Sequence, residues 1–556
     1  MKKSFIAWML IICMTSLFVL SGCSNTETET TAGTSSDSSA DTTAGGDAAQ
    51  ELTVAINSTF ATLDPALMST TAMSAVYFNT GANFMKANAN GEYEYELGES
   101  HTVSSDGLTY TMKIKDGIVW SDGEPLTAEH FVYGIKRTIG YGPDNAYAKN
   151  DLTTFVVGAQ EAADASMDVA DMENVGVKVI DDLTFEITLN SPCPYFADLL
   201  ASNNMGPVRP DFAPEHDSSW SINGTYPCLG PMVLESIKPE EEAVYVKNEK
   251  YWNADSVTMD KITFVVMPDQ TAQLNAFKAG EIDVALSVPS ETAENEQYAD
   301  NLYKAEKYCS NYFVLLNGGP KCTVEAFKDV NVRKALTMAI DRDLLVEVLG
   351  GGGFNVPLTG FIPYGIAGAD GDFREEKQYD LYNLEEAKKL MEAAGYSESN
   401  PLEFDYLYSN SQFHADVAQM LQQMWSQIYV KVNLASVEGG VFYDYVDNGE
   451  FEACRYANNT SNALSYFKLF RSTSQIDGCQ AIADPVYDEM VAAAYNMTDA
   501  AEYNAQLHKI EDYLVEEQAY VIPLLTQIPV VLQQTNLEGL WTTTTGSPYF
   551  AGMTVN

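Results

Sequence analysis

Between Ser24 and Gln50, twenty-seven consecutive residues include no Val, Ile, Leu, Met, Phe, Tyr or Trp, and five acids stand there against no base. Such a stretch cannot bury enough apolar surface to offset the entropy of ordering it. It is expected to stay disordered, so folding is expected to begin at Glu51. Its reach is roughly 90 Å fully extended and on the order of 30 Å as a flexible coil. Whatever precedes this segment is therefore held to the folded part by a leash.

What precedes it is Lys2 and Lys3 followed by sixteen mostly apolar residues, Phe5 to Leu20. A charged region followed by an apolar one reads as a secretory signal over 1–22, and the run is short for a membrane-spanning helix. Leu20-Ser21-Gly22-Cys23 has the form of a bacterial lipobox. Cys23 is expected to receive diacylglycerol, whose acyl chains anchor it stably at the outer face of the cell membrane. Residues 23–50 then form an acidic, Ser/Thr-rich tether. The alternative is an ordinary signal whose cleavage region contains a cysteine.

Removal of the signal takes away two lysines and no acid, so the net charge of −47 becomes more negative still. That balance excludes nucleic acid as a partner and excludes adhesion to anionic lipid through a basic face. The acidity is read as solubility at an exposed surface. With 556 residues and no second apolar run of membrane length, two or three lobes are expected from size. Cys193, Cys228, Cys309, Cys322, Cys454 and Cys479 are even in number and lie outside the cytosol. They permit up to three disulfides, most simply between sequence neighbours (193 with 228, 309 with 322, 454 with 479), and free buried thiols are the equal alternative. There is no C-x-x-C and the five histidines are scattered, so neither a metal nor another cofactor is expected.

Period-two alternation marks half-buried strands in "LTYTMKIK", "LTFEITLN" and "KITFVV". Helical spacing appears in "LTAEHFVYGIKRTI", where Thr127 caps and Phe131, Ile135 and Ile139 form the buried stripe. In "NLEEAKKLMEAAGY" Asn383 caps, Glu386 is expected to reach back to it, and Gly395 ends the helix. A third helix is expected to run through "VRKALTMAIDRDLLVEVL" with Leu336, Ala339, Ile340 and Leu344 inward, stopping at Gly350. Strands and helices mix throughout, which makes the class α/β or α+β. The glycines 350–353 follow a helix and precede no Lys-Ser or Lys-Thr, so they are a stop and a turn rather than a phosphate loop. G-x-S-x-G is missing and no local Cys-His signature occurs, so catalysis has no support and the chain is not expected to be an enzyme.

Seven stretches, weak singly, resemble one family when taken in order: the extracytoplasmic solute-binding proteins of peptide ABC importers, family 5. They are "LDPALMS", "IVWSDGEPLTAEHFVYGIKR", "YPCLGPMVLESIKPEEEAVYVKNEKYW", "QLNAFKAGEIDVA", "FKDVNVRKALTMAIDRDLL", "EEAKKLMEAAGY" and "YLVEEQAYVIPLL". His130 stands where the family usually has an acid. The resemblance implies an α/β, two-lobed periplasmic-binding-protein-like fold with an extra inserted subdomain. The first lobe would combine 51–93, 218–312 and 520–556, the insertion would be 94–217, and the second lobe 313–519. It further implies a monomer that closes on short peptides and passes them to a membrane permease and its ATPases. Nearby alternatives keep the fold and change the cargo to a modified peptide, a sugar, or a nickel or haem complex. A surface-anchored hydrolase and a ligand-presenting sensor are more distant ones.

The resemblance also nominates contacts. Ser69, Thr70 and Thr71 match a strand that pairs with the peptide backbone, Tyr147 in "NAYAK" sits where a family tyrosine touches ligand, and Tyr312 lies on the strand entering the second lobe. In "FEACRYANNTSNALSYFKLF" the family has an acid for the ligand's ammonium, and alignment places Asn459 there. Asparagine accepts a hydrogen bond but brings no charge. Arg455 is a candidate partner for a ligand carboxylate or for a structural salt bridge.

Overall fold

The computed structural model describes residues 49–556 except Ser69, 143–151, Pro194, Gly351, Gln475 and Thr498. Cys23, Ser69 and Tyr147, with the signal and the tether up to 48, lie outside the described residues. No helix among the described residues is long and apolar enough to cross a membrane.

Three sheets organise these residues. The first has seven strands in the order 302–303, 531–533, 284–285, 51–56, 261–266, 242–247, 232–238. Its centre is the parallel pair Glu51–Ile56 and Lys261–Val266, with Leu52 opposite Ile262 and Val54 opposite Phe264. These four side chains are almost wholly buried, as their period-two spacing requires. The second sheet has six strands in the order 355–357, 521–527, 310–316, 453–459, 402–409, 430–437. The third is antiparallel, four strands between 98 and 188, and it buries Tyr110, Met112, Phe185 and Ile187 on one face.

The chain passes between the first two sheets twice, at 304–309 and at 528–530. Strand Val521–Gln527, which the expected boundaries assign to the first lobe, pairs instead with 310–316 and 355–357 in the second sheet. Its run of six buried residues fits a central strand covered on both faces. The crossings are tied side by side, since Thr526 Oγ1 donates to Ser310 O at 2.6 Å.

Two buried ion pairs brace this frame. Arg137 makes paired bonds of 2.8 and 2.5 Å to Asp64, and its remaining donors reach Tyr141, Pro214 and Asp217. Arg374 meets Glu511 at 2.7 and 2.6 Å, and Glu511 also accepts the Phe361 and Ile362 amides.

Local expectations fare unevenly. Thr127 precedes helix Ala128–Gly140, and His130 does an acid's work there: its Nδ1 accepts from Thr127 N at 3.2 Å and Trp120 Nε1 at 3.3 Å. Burial, with the Arg209 charge, pushes His130 down to about 4, which keeps it a neutral acceptor. Asn383 caps its helix at 3.0 Å, but Glu386 pairs with Lys389 instead of reaching back. The long third helix is two, Val330–Met338 and Arg342–Leu349, because Asp341 caps a new start by accepting from Leu344 N. The break turns Leu345 inward and leaves Leu344 43% exposed.

All six cysteines of the described chain are unbridged. Cys309 immediately precedes the extended strand Ser310–Leu316 and Cys322 comes only after the turn that follows it; Cys322 Sγ is 3.3 Å from Val324 O. Cys228 Sγ is engaged with Met232 O at 3.3 Å.

Candidate functional site

A cleft of about 760 Å³ opens among helix Thr71–Thr80, the hairpin 85–95, the segment 195–204, the end of strand Ala453–Asn459 with the helix after it, and residues 543–547. Elements attached to all three sheets contribute. Its walls mix aromatic rings, among them Tyr77, Phe78, Tyr195, Tyr456 and Tyr495, with amides and hydroxyls. That is the make-up of a site that holds an amphipathic guest by surface and orients it by a few polar groups.

Thr70 is the cap of helix Thr71–Thr80, its hydroxyl accepting from Met73 N at 3.2 Å. Thr70 and Thr71 therefore begin a helix rather than belong to a strand. The Thr70 hydroxyl satisfies a helix-start amide, the role that suits threonine best. Gly81 follows this helix in extended conformation, and the place requires glycine because a side chain there would collide with the Tyr77 ring at 2.3 Å.

Lys86 and Glu96 line the floor. Lys86 Nζ is 3.9 Å from Glu96 Oε1 and sits over the Tyr549 ring at 4.1 Å and the Phe78 ring at 4.6 Å. Glu96 also accepts the Asn83 amide at 2.8 Å. Burial lowers the Lys86 pKa and raises that of Glu96, each partly offset by the other. Across the cleft, Tyr93 OH and Ser461 Oγ are 2.5 Å apart, joining the hairpin to the end of the second sheet.

Asn459 lines the cleft and donates through Nδ2 to Thr545 O at 2.9 Å. Arg455, four residues earlier on the same strand, does not line it. Its Nη2 donates to Ser409 Oγ at 2.7 Å and its guanidinium lies over the Phe442 ring at 4.2 Å. Tyr312 is also elsewhere, buried in the second sheet's core with its hydroxyl 3.0 Å from His414 Nδ1. Burial and the Arg455 charge push His414 down to about 3.

Of the nominated contacts only Asn459 lines the described cleft, and the rest of its lining escaped the sequence analysis, Tyr93, Asp198 and Arg471 included. Asp198 is one of 78 acids and follows "SPCPYFA", so no spacing or motif singles it out. Arg471 Nε is buried without a hydrogen-bond partner.

Residues 92–478 match the bacterial extracellular solute-binding proteins of family 5, in that family's middle region. The match covers well over half of the chain. The chain belongs to this family. Among curated relatives of this family 5 protein is the oligopeptide-binding protein OppA of Bacillus subtilis, 27% identical over 507 residues, covering 88% of this chain and 89% of the relative. The periplasmic oligopeptide-binding protein OppA of Escherichia coli is 28% identical over 430 residues, 75% of this chain and 76% of the relative. Among solved structures, the murein tripeptide binding protein MppA of Escherichia coli superposes with a TM-score of 0.74 at 26% identity, over 91% of this chain and 98% of its own. The α/β, two-lobed architecture of the family is thus the architecture of this chain.

Proposed function

We propose that this family 5 protein is the peptide-capturing component of an ABC importer, anchored through Cys23 to the outer face of the cell membrane. The observation that carries the reading is the 760 Å³ cleft, lined by the end of strand Ala453–Asn459 and by helices and loops attached to the other sheets, and furnished with amides, hydroxyls and aromatic rings. Its size falls in the range of about 300–1,000 Å³ typical of small-ligand sites. The relatives named as oligopeptide-binding and murein tripeptide binding proteins support the peptide class of cargo.

A ligand that touches both sides only when they are shut stabilises the shut state by its differential affinity. The protein would then hand its cargo, as a monomer, to a permease driven by ATPases. The tether would keep that encounter local by raising effective concentration. No step of this cycle asks the protein for catalysis.

Mass spectrometry of material released by denaturing the purified protein tests the cargo. Short peptides of mixed sequence are expected, and adding such peptides to the emptied protein should raise its melting temperature while leaving them intact. Recovery of only a sugar or a metal chelate, with no thermal shift from any peptide, overturns the peptide assignment. Metabolic labelling with palmitate tests the anchor, and Cys23→Ser should abolish incorporation.

A further inference from the structure

The carboxylates that line the cleft are unlike one another. Glu96 has its counter-ion in Lys86 and accepts an amide besides. Asp198 has neither: no cation and no hydrogen-bond donor meets its carboxylate among the described residues. Tyr93 shares the cleft lining with it, and Tyr93, Tyr110 and Tyr503 are pushed up first by burial and in small part by the charge of Asp198. Tyr93 in turn bridges to Ser461, two residues beyond Asn459, and Asp198 and Asn459 line the same cleft, in which Asn459 brings no charge. Besides its tyrosines, the other ionisable groups of the cleft among the described residues are Lys86, Glu96, Lys468 and Arg471.

A half-buried carboxylate that has given up part of its hydration without gaining a partner is unfavourable in the empty protein. It becomes favourable when a guest supplies the missing charge. We infer that Asp198 is the residue that fixes a cationic nitrogen of the cargo in the cleft, so that this protein selects guests carrying a free ammonium or guanidinium group. The inference rests on the cleft being the cargo site, and it refines the peptide reading to peptides with a free amino terminus or a basic side chain.

The free carboxyl is pushed up to about 6 by burial. A guest cation needs the ionised form, so its affinity should fall about tenfold per pH unit below about 6. Tyr93, Tyr110 and Tyr503 are pushed up, away from this range. Glu96 has a pKa raised by burial as well, and the Asp198→Asn variant separates its contribution.

Calorimetry on the full chain tests the assignment with four probes: tri- to penta-alanine with free amino termini, the same peptides N-acetylated, the N-acetylated peptides with one lysine, and spermidine. The ratio of affinity for cationic over N-acetylated neutral probes is expected to fall about 10- to 100-fold in Asp198→Asn, and to recover in Asp198→Glu. Loss confined to the free-amine series identifies the terminal ammonium as the source, and loss confined to the lysine series identifies the side chain. Binding of spermidine alone, weakened by Asp198→Asn, keeps the assignment and overturns the peptide reading. Equal binding of neutral and free-amine peptides, unchanged in Asp198→Asn, keeps the peptide reading and overturns the assignment. Failure of the wild-type chain to bind any cationic probe also overturns it. Melting curves of each variant confirm that the fold is intact.

Discussion

Buried charge is handled in opposite ways in two regions of this molecule. In the frame, the Arg374 guanidinium has both terminal nitrogens on Glu511 and its Nε on Lys377 O, and both side chains are fully buried. In the cleft, among the described residues, Asp198 stands without a counter-ion and Arg471 has a buried Nε with nothing to donate to. The frame's pair is complete before any guest arrives, whereas the cleft's groups wait for one. A buried pair holds two parts of the chain in a fixed relation because separating it strands both charges. Groups that are left open in a cleft do the reverse, making the empty state poorer than the filled one.

The largest expected effect follows from breaking the complete pair. Glu511→Gln keeps acceptors for the Phe361 and Ile362 amides but leaves Arg374 buried with no opposite charge. Denaturant unfolding should show a loss of about 3–5 kcal/mol. A loss under 1 kcal/mol would put the pair in the same class as the cleft's groups and dissolve the contrast. The next effect has the other sign. Asp198 is more easily protonated in the folded chain than in the unfolded one, so it destabilises the fold above about pH 6, and this penalty fades as pH falls toward the unfolded carboxyl range. Asp198→Asn should therefore stabilise the ligand-free protein by about 1–2 kcal/mol at pH 8, after allowance for solvent screening, and by almost nothing at pH 4. A destabilised variant at pH 8 would mean that Asp198 has a partner after all. The smallest effect concerns the contact that crosses the cleft. Tyr93→Phe removes the bond to Ser461 and should weaken cargo binding several-fold, about 1 kcal/mol, with the radius of gyration of the empty protein rising in solution scattering. An unchanged scattering curve and affinity would show that shutting does not depend on this bond.

Much of the frame was legible in the residues. Strand alternation predicts which faces of Thr109–Ile114 and Thr184–Thr188 are buried, because a period of two leaves little choice once one face is covered. Helix ends were less legible where two caps compete. Asp341 interrupts a good apolar repeat, and only a local hydrogen bond to Leu344 N decides for two helices over one. The family's ordered motifs reach further than periodicity does, since they point to a two-lobed body that no single segment announces. The cleft resists such reading. Tyr312 is on the expected strand and Arg455 on Ala453–Asn459, but their side chains go elsewhere, toward His414 and Phe442. The role proposed for Asp198 depends on what lines the cleft beside it, Tyr93 and no paired cation among the described residues, and neighbours more than a hundred residues away in sequence leave no local trace.

One modest contact carries a practical implication. The Gln50 side chain both accepts from Val555 N at 2.7 Å and donates to Val555 O at 3.1 Å, so the first and last residues of the folded part lie side by side. A few glycines could bridge them, and new ends could then be cut in the exposed turn at Gly395, where φ is +91°. A fluorescent reporter spliced there would ride on the second sheet and report each capture event as a change in light.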